Sequence, residues 1–257
     1  MSSGPPVLLV HGQPGSGADW SPVTARLTGG PQIIAVDRPG WNGTDPARDL
    51  SGNARAALDE LDRRGVTRAV VAGHSLGAAI AAWLAALYPQ RVAALVLAAP
   101  AANLASLYPA DYWLAAPVVA EIGAAVTMGA LGAALSVGPV RRRIAVRTGI
   151  DAAYLQAAAR VLVAPHGWRS YVSEQRSLIR DLPALESQLP AITAPTTILT
   201  GTEDRIIPSR AAAALARQIP GAQLRICAGA GHLLPQRHPE LVAEAIRAAG
   251  AAVTATH

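Results

Sequence analysis

Lysine and phenylalanine are both absent from this chain of 257 residues, so that all 22 basic side chains are Arg, and cysteine occurs once, at Cys227. Each absence removes chemistry. A phosphate-binding P-loop requires a Lys on the phosphates, a pyridoxal enzyme requires one for its Schiff base, and a short-chain dehydrogenase requires one beside its Tyr. A single Cys excludes an internal disulfide and any Cys-based metal cluster. Charge is also sparse, at 15% of residues, and a net charge of +5 over this length makes no nucleic-acid binder without a dense patch. Arg in place of every Lys, with abundant Ala, reads as the codon bias of a GC-rich genome.

What is present is apolar. Hydrophobic residues make up 51% of the chain, enough for one large domain with a buried core, or one domain carrying a sizeable insertion. Residues 1–6 are short and uncharged and run at once into Val7-Leu8-Leu9-Val10, so no secretory signal is expected and the cytoplasm is the default. Residues 122–140 carry no charge and precede Arg141-Arg142-Arg143, a pattern resembling a membrane span with a positive flank. The stretch is Ala- and Gly-rich, holds Thr127, Ser136 and Pro139, and only just reaches the necessary length. It is therefore expected to be a buried or lid helix rather than a span, with a surface that touches lipid or a lipid-like substrate as the other reading; the Arg run is expected to be a solvated helix end, with an acidic substrate group or a membrane surface as its alternatives.

Short apolar runs at 7–10, 33–36, 69–72 and 94–98 are bounded by Gly, Pro or charge, as buried parallel strands are. Helical stripes fill the intervals: Ala54, Leu58 and Leu61 in 53–64, and Leu76, Ile80, Trp83, Leu84 and Leu87 in 75–88. The pattern resumes with strands at 196–200 and 223–227, a helix capped by Ser209 and a last helix opening at His238-Pro239. This predicts an α/β fold with one mostly parallel sheet and helices on both faces, formed by residues 1–102 and 190–257. Residues 103–189 break the alternation and are expected to form a helical cap. They hold six of the ten Trp and Tyr residues, of which Tyr108, Tyr112, Trp113 and Trp168 are the candidate substrate contacts.

Gly73-His74-Ser75-Leu76-Gly77 falls between a predicted strand and a predicted helix. That is the context a nucleophile elbow needs. A tight strand-to-helix turn exposes the Ser Oγ, Gly on either side relieves the crowding, and the helix N-terminus lies beside developing negative charge. With this motif the chain resembles the α/β-hydrolase-fold enzymes over nearly its whole length outside 103–189. His11-Gly12-Gln13-Pro14-Gly15 looks like the family's oxyanion loop, Asp37-Arg38-Pro39-Gly40 like its D-x-P-G turn, and Gly231-His232 like its His loop. Two departures stand out: the His-Gly pair comes so early that the usual preceding antiparallel hairpin is expected to be missing or vestigial, and Gln13 is polar where a small or apolar residue is common.

A Ser nucleophile needs a base, and the base needs an orienting carboxylate. Of the six His, His74 adjoins Ser75 and is expected to be structural, His11 belongs to the oxyanion loop, His166 to the insertion, His238 to a helix start, and His257 is terminal. His232 remains, between a Gly-rich loop and the last helix. Gly201-Thr202-Glu203-Asp204 offers two acids, and the resemblance favours Asp204. Geometry and resemblance give the oxyanion donors as the backbone N–H groups of Leu76 and Gln13. The Gln13 side chain is open to a role toward substrate, the cap or the surface. The resemblance implies hydrolysis of an ester, thioester or lactone of a small to medium apolar substrate through acyl-Ser75, with no metal and no organic cofactor. C–C cleavage, lyase chemistry, acyl transfer or slow-turnover ligand binding are the alternatives, and nucleic acid is not an expected partner.

Overall fold

A computed structural model describes residues 4–164 and 166–255, so His257 lies outside the described residues. The strands are β1 (Val7–Val10), β2 (Ile33–Val36), β3 (Ala69–His74), β4 (Val92–Ala98), β5 (Thr196–Gly201) and β6 (Gln223–Cys227). They form one sheet in the order β2-β1-β3-β4-β5-β6, every pair parallel. Among the described residues no antiparallel hairpin precedes β1. Around the sheet lie α1 (Ser21–Thr24), α2 (Leu50–Arg63) and α3 (Leu76–Leu87). Between β4 and β5 come α4 (Pro109–Ala115), α5 (Val119–Ser136), α6 (Gly138–Thr148), α7 (Ala152–Val163) and α8 (Gly167–Gln188). Then follow α9 (Ser209–Gln218), α10 (Leu234–Arg237) and α11 (Pro239–Ala255).

β3 and β4 are apolar almost throughout because both of their faces are covered, and every residue in them is buried. One face packs against α2, α3 and α9 through Leu58, Leu61, Ile80, Leu84 and Leu215, the other against α1 and α11 through Val23, Val242 and Ile246. A third, separate core lies within the helical insert, where Ala124, Met128, Leu155, Leu162 and Val172 pack together with Trp41. The long helix α8 joins the two regions. Val172 near its start belongs to the insert core, while Leu178, Leu182 and Leu185 belong to the sheet core.

The uncharged stretch is not one buried helix. It breaks at Val137, where α5 stops and α6 opens with Pro139 in its first turn, a position a helix tolerates because the missing N–H has no partner there. α5 also turns much of its apolar surface outward: Val119, Ile122 and Val126 are exposed.

Candidate active site

Ser75 is the single residue between β3 and α3, held at φ 55° and ψ −120°, a left-handed conformation that a non-glycine residue adopts at a cost. The strain is over-determined by its surroundings. A Cβ on Gly73 would collide with the Gly77 carbonyl, and one on Gly77 with the Val10 carbonyl, so only glycine fits on either side. Ser75 N–H donates to the Ala98 carbonyl at 3.0 Å and Ala101 N–H donates to the Ser75 carbonyl at 3.2 Å, which pins the turn to the end of β4. Leu76, as the first residue of α3, has an N–H without an intrahelical acceptor. The loop after β1 abuts the turn, since a Cβ on Gly12 would lie 3.1 Å from Ser75 Cβ.

His232 lies in the loop after β6 and its Nδ1–H donates to Asp204 Oδ2 at 2.9 Å. The Asp204 side chain is 0% exposed, and its Oδ1 accepts from Ile206 N–H at 2.9 Å and Ile207 N–H at 2.8 Å. Burial raises its pKa, but the hydrogen bond and charge of His232, with the two N–H donors, outweigh burial and hold the carboxyl below its ordinary range. Glu203, by contrast, is exposed. Of the two neighbouring acids, therefore, the turn after β5 directs Asp204 to the imidazole. His74 donates from Nε2 to the His232 backbone carbonyl at 2.9 Å. Burial, then the neighbouring His232, pushes its pKa down to about 3, so it stays neutral and braces the loop that carries His232.

A second buried cluster fixes the loop after β1, and sequence reasoning missed it. Arg38 donates from Nε to the His11 carbonyl at 3.0 Å and from Nη2 to the Gly12 carbonyl at 2.8 Å, while its Nη1 pairs with Glu174 of α8. Trp41 Nε1–H also donates to Glu174, at 2.9 Å. His11 accepts from Arg38 N–H at Nε2 and donates to the Gly12 carbonyl from Nδ1; burial and the Arg38 charge keep its pKa well below the ordinary value. A signal for Gln175, though not for the Arg38–Glu174 pair, lay in α8. Tyr171, Gln175 and Leu178 recur at helical spacing, which puts a polar residue on an otherwise apolar face. Gln13 Nε2 donates to Gln175 Oε1 at 2.7 Å, so the Gln13 side chain meets the insert.

Ser75, His232 and Gln13 line one cavity of about 440 Å³, with Leu131, Leu135 and Leu162 of the insert opposite them. Tyr154 and Tyr171 are its aromatic residues. Tyr108, Tyr112, Trp113 and Trp168, the expected contacts, do not line it. α4 turns Asp111 and Leu114 inward at a spacing of three, which leaves Tyr112 and Trp113 between them facing solvent. Tyr108 lies under the Arg210 guanidinium, and Trp168, one turn before Tyr171, falls beyond the cavity against the insert's own core, with Arg169 over its ring. The cavity also holds Asp19, whose pKa burial pushes up to about 7 against the opposing Ser16 N–H and Arg38.

The family model described as "Alpha/beta hydrolase family" matches residues 7–245. A 2-hydroxy-6-oxononadienedioate/2-hydroxy-6-oxononatrienedioate hydrolase from Cupriavidus pinatubonensis is 28% identical over 248 residues, covering 90% of this chain and 82% of that one. The enol-lactonase from Burkholderia xenovorans LB400 superposes with a TM-score of 0.76 at 21% identity, covering 96% of this chain and 92% of that one. A thermophilic esterase from Thermogutta terrifontis superposes with a TM-score of 0.70 at 23% identity, covering 98% and 92%. At these identities the two structures show a shared fold.

Proposed function

Since the chain belongs to the alpha/beta hydrolase family, we propose that it is a serine hydrolase cleaving a carboxylic ester, thioester or lactone of a neutral, largely apolar substrate. The observation that carries this reading is the Asp204–His232 hydrogen bond, which presents the imidazole to the cavity that Ser75 shares. With Nδ1–H committed to Asp204, His232 Nε2 is the free base. It takes the Ser75 proton as Oγ attacks the carbonyl carbon, and returns it to the departing alcohol or thiol. It then deprotonates the water that releases the acyl group. The N–H groups of Leu76 and Gln13 hold the oxyanion of both tetrahedral intermediates. Asp204 fixes the tautomer and stabilises the imidazolium. No metal or organic cofactor enters this scheme, and the helices between β4 and β5 act as a cap over Ser75.

The cavity lining favours this substrate class over a dicarboxylate of the kind that names the Cupriavidus relative. Lys is absent from the chain, no Arg is among the described residues that line the cavity, and two carboxyl groups, Asp19 and Asp111, are. Two carboxylates of a substrate would find no counter-charge there. The test is labelling by a fluorophosphonate together with multiple turnover on a short p-nitrophenyl ester. Wild type should do both, and Ser75→Ala should do neither while keeping its circular dichroism. Equal labelling of the two proteins would remove Ser75 from its role.

A further inference from the structure

Sixteen large apolar side chains are exposed among the described residues, and eleven of them fall between positions 112 and 146, on α4 to α6 and their connecting turns. On α5 they are ordered. Val119, Ile122, Val126, Ala130, Ala133 and Val137 recur at intervals of three and four and are all exposed, so they line one side of a helix about 27 Å long. Ile122 and Val126 are 61% and 64% exposed, and Trp113 nearby is 70% exposed. The other side of α5, with Ala120, Ala124, Met128 and Leu135, is buried against the insert. A contiguous apolar face of this kind marks an interaction surface.

Charge identifies the partner. Directly after Val137, α6 exposes Arg142, Arg143 and Arg147. The only acid between positions 112 and 150 is Glu121, and Arg176 holds it at 3.0 Å. An aromatic end, an aliphatic stripe and uncompensated Arg side chains are what a helix lying in the headgroup region of an anionic bilayer presents. A second copy of the chain fits less well, because a two-fold pairing matches the face with itself and this face offers the Arg side chains no acidic counterpart. The rim of the cavity belongs to the same region: Leu114 and Leu131 both line the cavity and reach solvent.

We propose that α4 to α6 form a peripheral docking surface for an anionic lipid bilayer. α5 lies flat in the headgroup region and does not cross, because its inner side is committed to the insert. Only the consequence for substrate, an acyl ester entering from the lipid phase past Leu114 and Leu131, rests on the hydrolase reading.

Sedimentation of the full chain with vesicles tests the surface without any turnover. The protein should sediment with mixed phosphatidylglycerol–phosphatidylcholine vesicles, and more weakly with phosphatidylcholine alone or in high salt. Ile122→Glu combined with Val126→Glu should abolish binding, and Arg142→Gln, Arg143→Gln or Arg147→Gln should each weaken it roughly fivefold. An unchanged circular dichroism spectrum of the double variant establishes that it folds. The proposal is overturned if wild type does not sediment with the anionic vesicles, or if the double variant sediments as wild type does. It is also overturned if this face instead forms a dimer that ignores vesicles and that the double variant dissociates. Binding to vesicles by a protein that hydrolyses no ester would leave the docking surface standing and remove the hydrolase reading.

Discussion

Around the sheet, polar and charged side chains lie inside the protein: Arg38 and Glu174 pair in the interior, His11 and His74 are buried and neutral, and the Asp204 carboxylate is sealed from solvent. On the outer side of α4 to α6 the arrangement is inverted, with Trp113, Ile122, Val126 and Val146 facing water. The difference separates two uses of free energy. Buried polar groups cost desolvation unless every one is hydrogen-bonded, and here they hold the loops of the proposed site to fixed positions. Exposed apolar groups cost nothing toward folding that loop or helix, and they leave a surface whose complement lies outside the chain.

The largest effect is expected where the buried half meets the proposed chemistry. Asp204→Asn should lower kcat by about 10⁴-fold, because the Asn amide no longer selects the His232 tautomer with a proton on Nδ1. Glu203→Gln should leave kcat near wild type, as its side chain is exposed. Steady-state kinetics on one ester decides it, and a larger loss in Glu203→Gln would reassign the orienting acid.

That pair also marks how far the sequence was legible. The strands and the elbow were readable because their physics is local: a strand covered on both faces must be apolar along its length, and Gly73 and Gly77 are dictated by backbone contacts within a few residues or with the adjacent strand. Choosing between Glu203 and Asp204 requires the direction of a turn, which neighbouring identities do not encode, so family resemblance carried it. Aromatic content named Tyr112 and Trp113 as substrate contacts, yet content carries no direction, and the inward positions of α4 are Asp111 and Leu114. The Arg38–Glu174 pair joins positions 136 residues apart, a separation at which nothing in either local pattern points to the other.

Breaking that pair is the next test. Glu174→Ala leaves the Arg38 guanidinium buried without its counter-charge and Trp41 Nε1 without its acceptor, and should cost about 3–5 kcal/mol of stability, measured by urea denaturation. A loss well under 1 kcal/mol would mean that water reaches Arg38 and that the interior is open at that point.

Asp19 gives a pH-dependent version of the same contrast. Its pKa is about 7 in the folded chain against an ordinary value of 3.8, with Arg38, Asp37 and Tyr154 as its charged or titratable neighbours. The folded state therefore binds the proton more tightly, and stability falls as pH rises from about 4 through 7, by up to about 4 kcal/mol from this one group. Asp19→Asn carries no such penalty. Thermal unfolding of the two proteins should show the variant gaining on wild type as pH increases from 5 to 8. Parallel curves would show that Asp19 is ionised in the native state.

The smallest effect is expected on the outer helices. Val146 is 85% exposed on α6, whereas Leu95 in β4 is fully buried between the helical layers. Val146→Ala removes methyl groups that already face water, so nothing is lost by transfer and no cavity opens; the change in unfolding free energy should stay within about 0.5 kcal/mol. Leu95→Ala removes groups surrounded on all sides and should cost about 2–5 kcal/mol, through both the lost burial and the space left behind. If Val146→Ala cost as much as an interior substitution, α6 would be held in solution by contacts on its outward face. The apolar surface would then belong to an assembly of the protein with itself rather than to a bilayer.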